Sequence, residues 1–231
     1  MMKISMQSVR QASTTALAGI GQVANTPDGS TWIYVKAAEA ISKGHVVVPD
    51  TAVGVDTVSS SSDQQSRVVY ITEASAGWTV GAYANAWGLV DSGTGVGQEF
   101  KVKDNTTDTL ILYPEFALST ALAVADSDIT LVFPYLVDKA AVTSDTQQAT
   151  GIAQVAIASG SYGWVLQKGN GVAIAGEALT ASAGFTTGDD TEGQVIKAVT
   201  AEGAYDEQNL GYCRVANESV DKAALVYVNV M

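Results

Sequence analysis

The chain has 231 residues and a formal net charge of -12, from 24 acidic and 12 basic side chains. Charged residues are only 16% of it and hydrophobic residues 47%, which excludes a disordered chain and leaves room for a sizeable core in one large β domain or two small ones. An acidic surface without clustered Lys and Arg excludes nucleic acid as an expected partner, and a single His and a single Cys supply little for catalysis.

The first 30 residues read as an N-terminal arm. They hold Gln, Ser, Thr, Ala and Gly with no aromatic side chain, and their basic residues Lys3 and Arg10 precede the first acid, Asp28. Pro27-Asp28-Gly29 is turn chemistry that closes the arm. Lys3, Ile4, Met6, Val9 and Arg10 are the candidate partner contacts, on an arm that orders when it docks. A frayed terminus is the alternative reading. Ala16 to Ile20 is too short and too interrupted by Gly for a signal peptide, and no run approaches the length of a membrane span, so synthesis in the cytoplasm and no membrane partner are expected.

From Thr31 onward the chain is a series of short runs rich in Val, Ile, Tyr, Trp and Thr, separated by Gly, Asp, Asn and Ser. The predicted strands are 32–37, 45–48, 67–72, 87–90, 99–103, 110–113, 129–137, 152–158, 162–167, 172–175, 194–200, 211–216 and 224–230. Pro114 to Ala125 opens with Pro and Glu and predicts a short helix or helical turn. Lys168-Gly169-Asn170-Gly171 reads as a tight hairpin, and Leu225 to Val230 alternates as a half-buried strand does. The fold class is therefore mainly β, an antiparallel sandwich or barrel. Residues 31–143 and 144–231 form two small β domains, divided at the polar stretch Thr143 to Thr150. A weak echo between Trp87 to Phe100 and Trp164 to Leu179 suggests either matched hairpins or chance similarity.

Few constellations point to chemistry. Gly93-Thr94-Gly95-Val96-Gly97 lacks the following helix that a phosphate loop requires, so it reads as a hairpin turn. Asp189, Asp190 and Glu192, on a glycine-bounded loop, are oxygen ligands of the kind Ca²⁺ takes, without EF-hand spacing; a solvated acidic loop is the plainer reading. His45 has no nucleophile elbow to serve, and Cys213, with no partner for a disulfide, reads as a buried inert thiol. Trp32, Trp78, Trp87 and Trp164 lie in or beside strands, where core burial is the default and a stacked glycan-binding face the alternative. No catalytic residue, cofactor or metal is expected.

Several segments resemble tailed-phage virion proteins. They are Asp28-Gly29-Ser30-Thr31-Trp32-Ile33-Tyr34-Val35, Ala40-Ile41-Ser42-Lys43-Gly44-His45-Val46-Val47, Gly97 to Thr106, Pro134 to Val137, and Gly151 to Ala153 through Tyr162 to Gly169. The resemblance spans most of residues 20 to 180 and carries no catalytic motif. It implies a capsid decoration (cement) protein, a non-enzymatic virion component on the outer capsid surface. Its partners would be the major capsid protein and further copies of itself, most simply as a homotrimer. The negative charge agrees with an outer location, because packed DNA inside a shell repels it. A glycan- or host-surface-binding module of a phage fibre or tail is the alternative. Charge is also uneven along the chain: residues 177 to 231 hold nine acids against Lys197, Arg214 and Lys222.

Overall fold

A computed structural model describes residues 2–55, 58–63, 65–78, 80–81, 83–124, 126–140, 148–187, 192–198, 209–216, 219 and 221–230. Strands account for 44% and helix for 3%, so the mainly β expectation holds, with a closed five-strand barrel and a curled half-barrel sheet. In chain order the strands are β1 (Met2–Lys3), β2 (Val23–Asn25), β3 (Thr31–Ala37), β4 (Val46–Val55), β5 (Ser60–Ser61), β6 (Tyr70–Thr72), β7 (Trp87–Val90) and β8 (Glu99–Asn105). They continue as β9 (Thr109–Leu112), β10 (Ile129–Lys139), β11 (Gly151–Ala153), β12 (Tyr162–Ala175), β13 (Gly184–Thr187), β14 (Val195–Lys197), β15 (Gly211–Cys213) and β16 (Lys222–Asn229).

The chain forms two compact units: Met1–Asp50 with Tyr135–Met231, and Thr51–Pro134. The divisions thus fall at 50/51 and 134/135, where the sequence suggested 30/31 and 143/144. Residues 141–147, where the second suggested division sits, lie outside the described residues.

In the first unit, β12, β16, β15, β13 and β14 close into the barrel. β12 and β16 pair antiparallel from Lys168–Asn229 to Ala175–Lys222. β15 and β13 follow, and β14 returns to β12 in parallel at Val195 and Ala175. The predicted alternation of the last strand is observed: Ala224, Val226 and Val228 are buried, while Leu225 and Asn229 are exposed. Burying each Val is worth roughly 1.5–3 kcal/mol. A one-residue slip would expose these three and is disfavoured for that reason. Phe185, Val195, Leu210 and Cys213 complete the interior, which confirms a buried Cys213 thiol.

β3 explains why its run (TWIYVKA) is almost continuously apolar: both faces are covered. Trp32 and Tyr34 join the core shared with Trp164 and Leu166, whereas Ile33, Val35 and Ala37 join a second core with Val47, Ile157 and Val165. β3 lies between β2 and the first half of β12, in register from Tyr162–Lys36 to Leu166–Trp32.

The hairpin expected at Lys168-Gly169-Asn170-Gly171 does not form. β12 runs unbroken through it, with an irregularity between Leu166 and Lys168 where the strand changes partner from β3 to β16. The glycine at 169 serves close approach: at φ 127 its backbone passes Ser30, and a Cβ there would lie 2.3 Å from the Ser30 hydroxyl oxygen. The echo with Trp87 to Phe100 fails with it, because only the earlier copy is a hairpin, β7–β8.

The N-terminal segment is folded against its own unit. β1 pairs parallel with β2, Ser13 bridges Tyr162, and the Leu17 amide donates to the Tyr34 hydroxyl at 2.9 Å. Val9, in a short 3-10 turn (Ser8–Arg10), is fully buried in the core, and Ile4 packs against it.

The second unit is an antiparallel array in the order β7-β8-β9-β6-β5, with the start of β10 (Ile129 to Val132) beside β7. Val90, Phe100, Val102, Leu110, Leu112, Leu118, Ile129 and Leu131 are buried. The β7–β8 connection is the expected glycine turn, with Gly93, Gly95 and Gly97 all at positive φ. Helical structure after Pro114 is limited to a 3-10 turn, Pro114–Phe116. Among the described residues no helix is long and apolar enough to cross a membrane.

Candidate binding cleft

The first unit carries a cleft of about 600 Å³ whose lining includes Met6, Arg10, Asp28, Trp32, Lys43, Gln154, Asn170 and Gly171. Two candidate residues from the N-terminal segment, Met6 and Arg10, reach it. Of the others, Val9 is committed to the core, Ile4 packs half-buried on that core, and Lys3 contributes its backbone to β1.

Each wall is held in place by local bonding. Burying Val9 anchors the turn that ends in exposed Arg10. Asp28 accepts from the hydroxyls of Thr26 and Ser30 and from the Ser30 amide, and these bonds hold its pKa below the usual carboxylate value, the Thr26 hydroxyl most of all. Thr26 in turn accepts from the Trp32 indole at 3.1 Å. The Gln154 amide clasps the Val172 backbone, accepting from its N–H at 2.9 Å and donating to its carbonyl at 3.0 Å. Asn170 Oδ1 accepts from Arg214 Nη1 at 2.6 Å. Arg10 and Lys43 are different. Among the described residues neither side chain has a hydrogen bond or ion-pair partner, although the protein as a whole is acidic. The described lining holds two cations, a carboxylate, amides and apolar groups.

A second polar cluster in this unit surrounds Lys139. Its ammonium pairs with Glu39 at 3.3 Å and Glu192 at 2.9 Å, and these bonds, Glu192 first, raise its pKa. Glu192 is thus occupied, while Asp189 and Asp190 of the proposed Ca²⁺ loop lie outside the described residues. Burial pushes Asp138 up to about 7, helped by a shared hydrogen bond with Asp50. His45 has a buried Nδ1 without a hydrogen-bond partner; burial first, then Lys139, lowers its pKa. No cluster among the described residues has the makings of a metal site.

The tryptophans divide. Trp32 and Trp164 are buried, whereas Trp78 and Trp87 are half-buried. Lys101 lies 5.4 Å over the Trp87 ring and 5.7 Å over Tyr113, and the Phe116 edge packs on Trp87 at 5.4 Å.

The sequence indicated Met6 and Arg10 but missed Lys43, Asn170 and the Asp50–Asp138 pair. Lys43 and Asn170 come from segments far apart in the chain, and only strand pairing brings them together. No protein-family model and no curated protein sequence matches the chain. Among solved structures it is similar to the crystal structure of the head fiber gp8.5 N base in bacteriophage phi29, at 9% identity and a TM-score of 0.39, covering 86% of this chain and 93% of that one.

Proposed function

We propose that this protein is a non-enzymatic structural component of a tailed-phage virion, binding the outer capsid surface and bridging major capsid protein subunits, most simply as a homotrimer. The observation that carries the reading is the cleft: Met6 and Arg10 of the N-terminal segment line it with Lys43, and the two cations have no side-chain partner among the described residues on a protein of net charge -12. The segments that resemble tailed-phage virion proteins support it from a second direction. Thr31 to Val35, Gly151 to Ala153 and Tyr162 to Gly169 are distant in sequence yet pair through β3, β11 and β12. Docking would use the half-buried Met6 and the exposed Arg10 and leave Val9 in the core.

The glycan-binding alternative requires exposed tryptophan faces. Trp32 and Trp164 are buried, and the two half-buried rings are already packed on, Trp78 by Tyr83 and Trp87 by Lys101 and Phe116, which favours the capsid reading. The test is to purify virions, assay them for this protein, and probe it with protease or antibody on intact particles. The reading predicts stoichiometric, accessible protein. Absence from particles, or protection inside the shell, overturns it.

A further inference from the structure

The outer face of the barrel is ordered by its register. One row runs Tyr212–Tyr227–Asn170, the next Leu225–Val172, and the Arg214 amide donates to the Leu225 carbonyl. Tyr212 and Tyr227 stack at 5.2 Å, and Tyr212 and Leu225 keep 44% and 46% of their surface exposed although they are large and apolar. Asn170, Val172 and Leu225 also line the cleft, so the apolar rows run directly into the part that carries Arg10 and Lys43. The surface therefore combines an apolar strip, a flanking Arg214 and two cations without a side-chain partner among the described residues. Asp28, the one acid among the described lining residues, accepts from the hydroxyls of Thr26 and Ser30.

We infer that this face receives an acidic peptide segment of the capsid partner, with an apolar side chain seated on Leu225 and Val172 and carboxylates reaching Arg10 and Lys43. The inference rests on the capsid reading above and adds the chemistry of the partner. Charge complementarity selects the occupant. A basic or neutral segment would leave both cations unpaired. Carboxylates flanking an apolar residue use both halves of the surface at once.

The probe is a pentapeptide of four acidic residues around a central leucine, with a lysine-for-acid version as control, titrated into the full chain and followed by backbone and side-chain amide NMR. The expected result is shifts confined to Arg10, Lys43, Asn170, Gly171 and Leu225. Binding should weaken about tenfold for Lys43→Glu and more for Arg10→Glu/Lys43→Glu, while Lys103→Glu in the other unit, with the same charge change, leaves it intact. Raising ionic strength should weaken it further. Equal affinity for the lysine version, unchanged binding by Arg10→Glu/Lys43→Glu, or shifts elsewhere overturn the inference. So does loss of self-association in that double variant without peptide binding, which would assign the face to a second copy of this chain. Particle binding is measured in parallel. Failure of the wild-type chain to bind particles overturns the capsid reading whatever the peptide does. Binding of particles by the double variant as tightly as by wild type overturns the inference alone.

Discussion

The barrel and the antiparallel array of the second unit handle strand edges in different ways. The barrel closes β14 onto β12, so its backbone donors and acceptors are paired around the ring. The array ends at β5, a strand of only two residues, the length at which an edge offers little template for another chain. The units also differ on their surfaces. The barrel face exposes Tyr212 and Leu225, and Leu225 lines the cleft with Arg10 and Lys43, which have no side-chain partner among the described residues. The array exposes Leu89, Phe116 and Val132 around the half-buried Trp87, with Val132 opposite Trp87 in the β7–β10 register and Phe116 packed on its ring, and its Lys101 lies over Trp87 and Tyr113. Both faces are apolar, and what sets the barrel face apart is that its strip runs into cations with no side-chain partner among the described residues.

The sharpest way to break this comparison is to hollow each core in turn. Phe185→Ala in the barrel and Phe100→Ala in the array remove fully buried rings, each at a cost of about 3–5 kcal/mol. Hydrogen exchange should show the loss of protection concentrated in the unit that carries the substitution. Equal loss in both units would mean that the two-unit division has no energetic meaning.

Glycine substitutions come next. At Gly211, φ is 143 and an added Cβ would lie 2.0 Å from the Tyr227 carbonyl oxygen, so Gly211→Ala combines backbone strain with overlap and should cost about 3 kcal/mol or more. Gly29 has φ 84 but nothing within 4 Å, so Gly29→Ala should cost only about 1–2 kcal/mol. Chemical denaturation of both variants measures the difference, and equal costs would contradict the barrel register at Gly211.

The Asp50–Asp138 pair gives a pH dependence. With Asp138 raised to about 7, its contribution to stability is fully present below the ordinary carboxylate range and is lost as pH rises through about 7. His45, whose pKa is lowered, acts in the opposite sense and reduces stability as pH falls below its ordinary value of about 6.5. In thermal melts between about pH 5 and about pH 8, Asp138→Asn should flatten the alkaline fall in Tm, by roughly 2–4 °C for each 1 kcal/mol recovered. An unchanged slope would remove the pair from the account. The smallest effect is expected from Lys139→Met. Its two ion pairs are partly exposed, so stability should change by no more than about 1 kcal/mol.

Strands were legible in the sequence where alternation or a doubly buried run was strong, as at β3, β7, β8 and β16. Lys168 to Gly171 misled because glycine serves two purposes. The same residues that turn a hairpin also let a straight strand pass close to Ser30, and local sequence does not distinguish them. Thr143 to Thr150 read as a boundary because it is polar, and residues 143–147 of that stretch lie outside the described residues. The cleft was half legible. Arg10 stood out in an acid-free segment, but Lys43 and Asn170 acquire their meaning only once β12 has paired first with β3 and then with β16.

The central claim is that this chain sits on the outside of a capsid and meets it through the surface holding Arg10 and Lys43. An electron-microscopy map of the intact particle tests it most directly. The account predicts density for the β barrel outside the shell, with the cleft against a capsid subunit and acidic side chains of that subunit opposite Arg10 and Lys43. Density inside the shell, or a capsid contact made through the second unit with the cleft open to solvent, would contradict it.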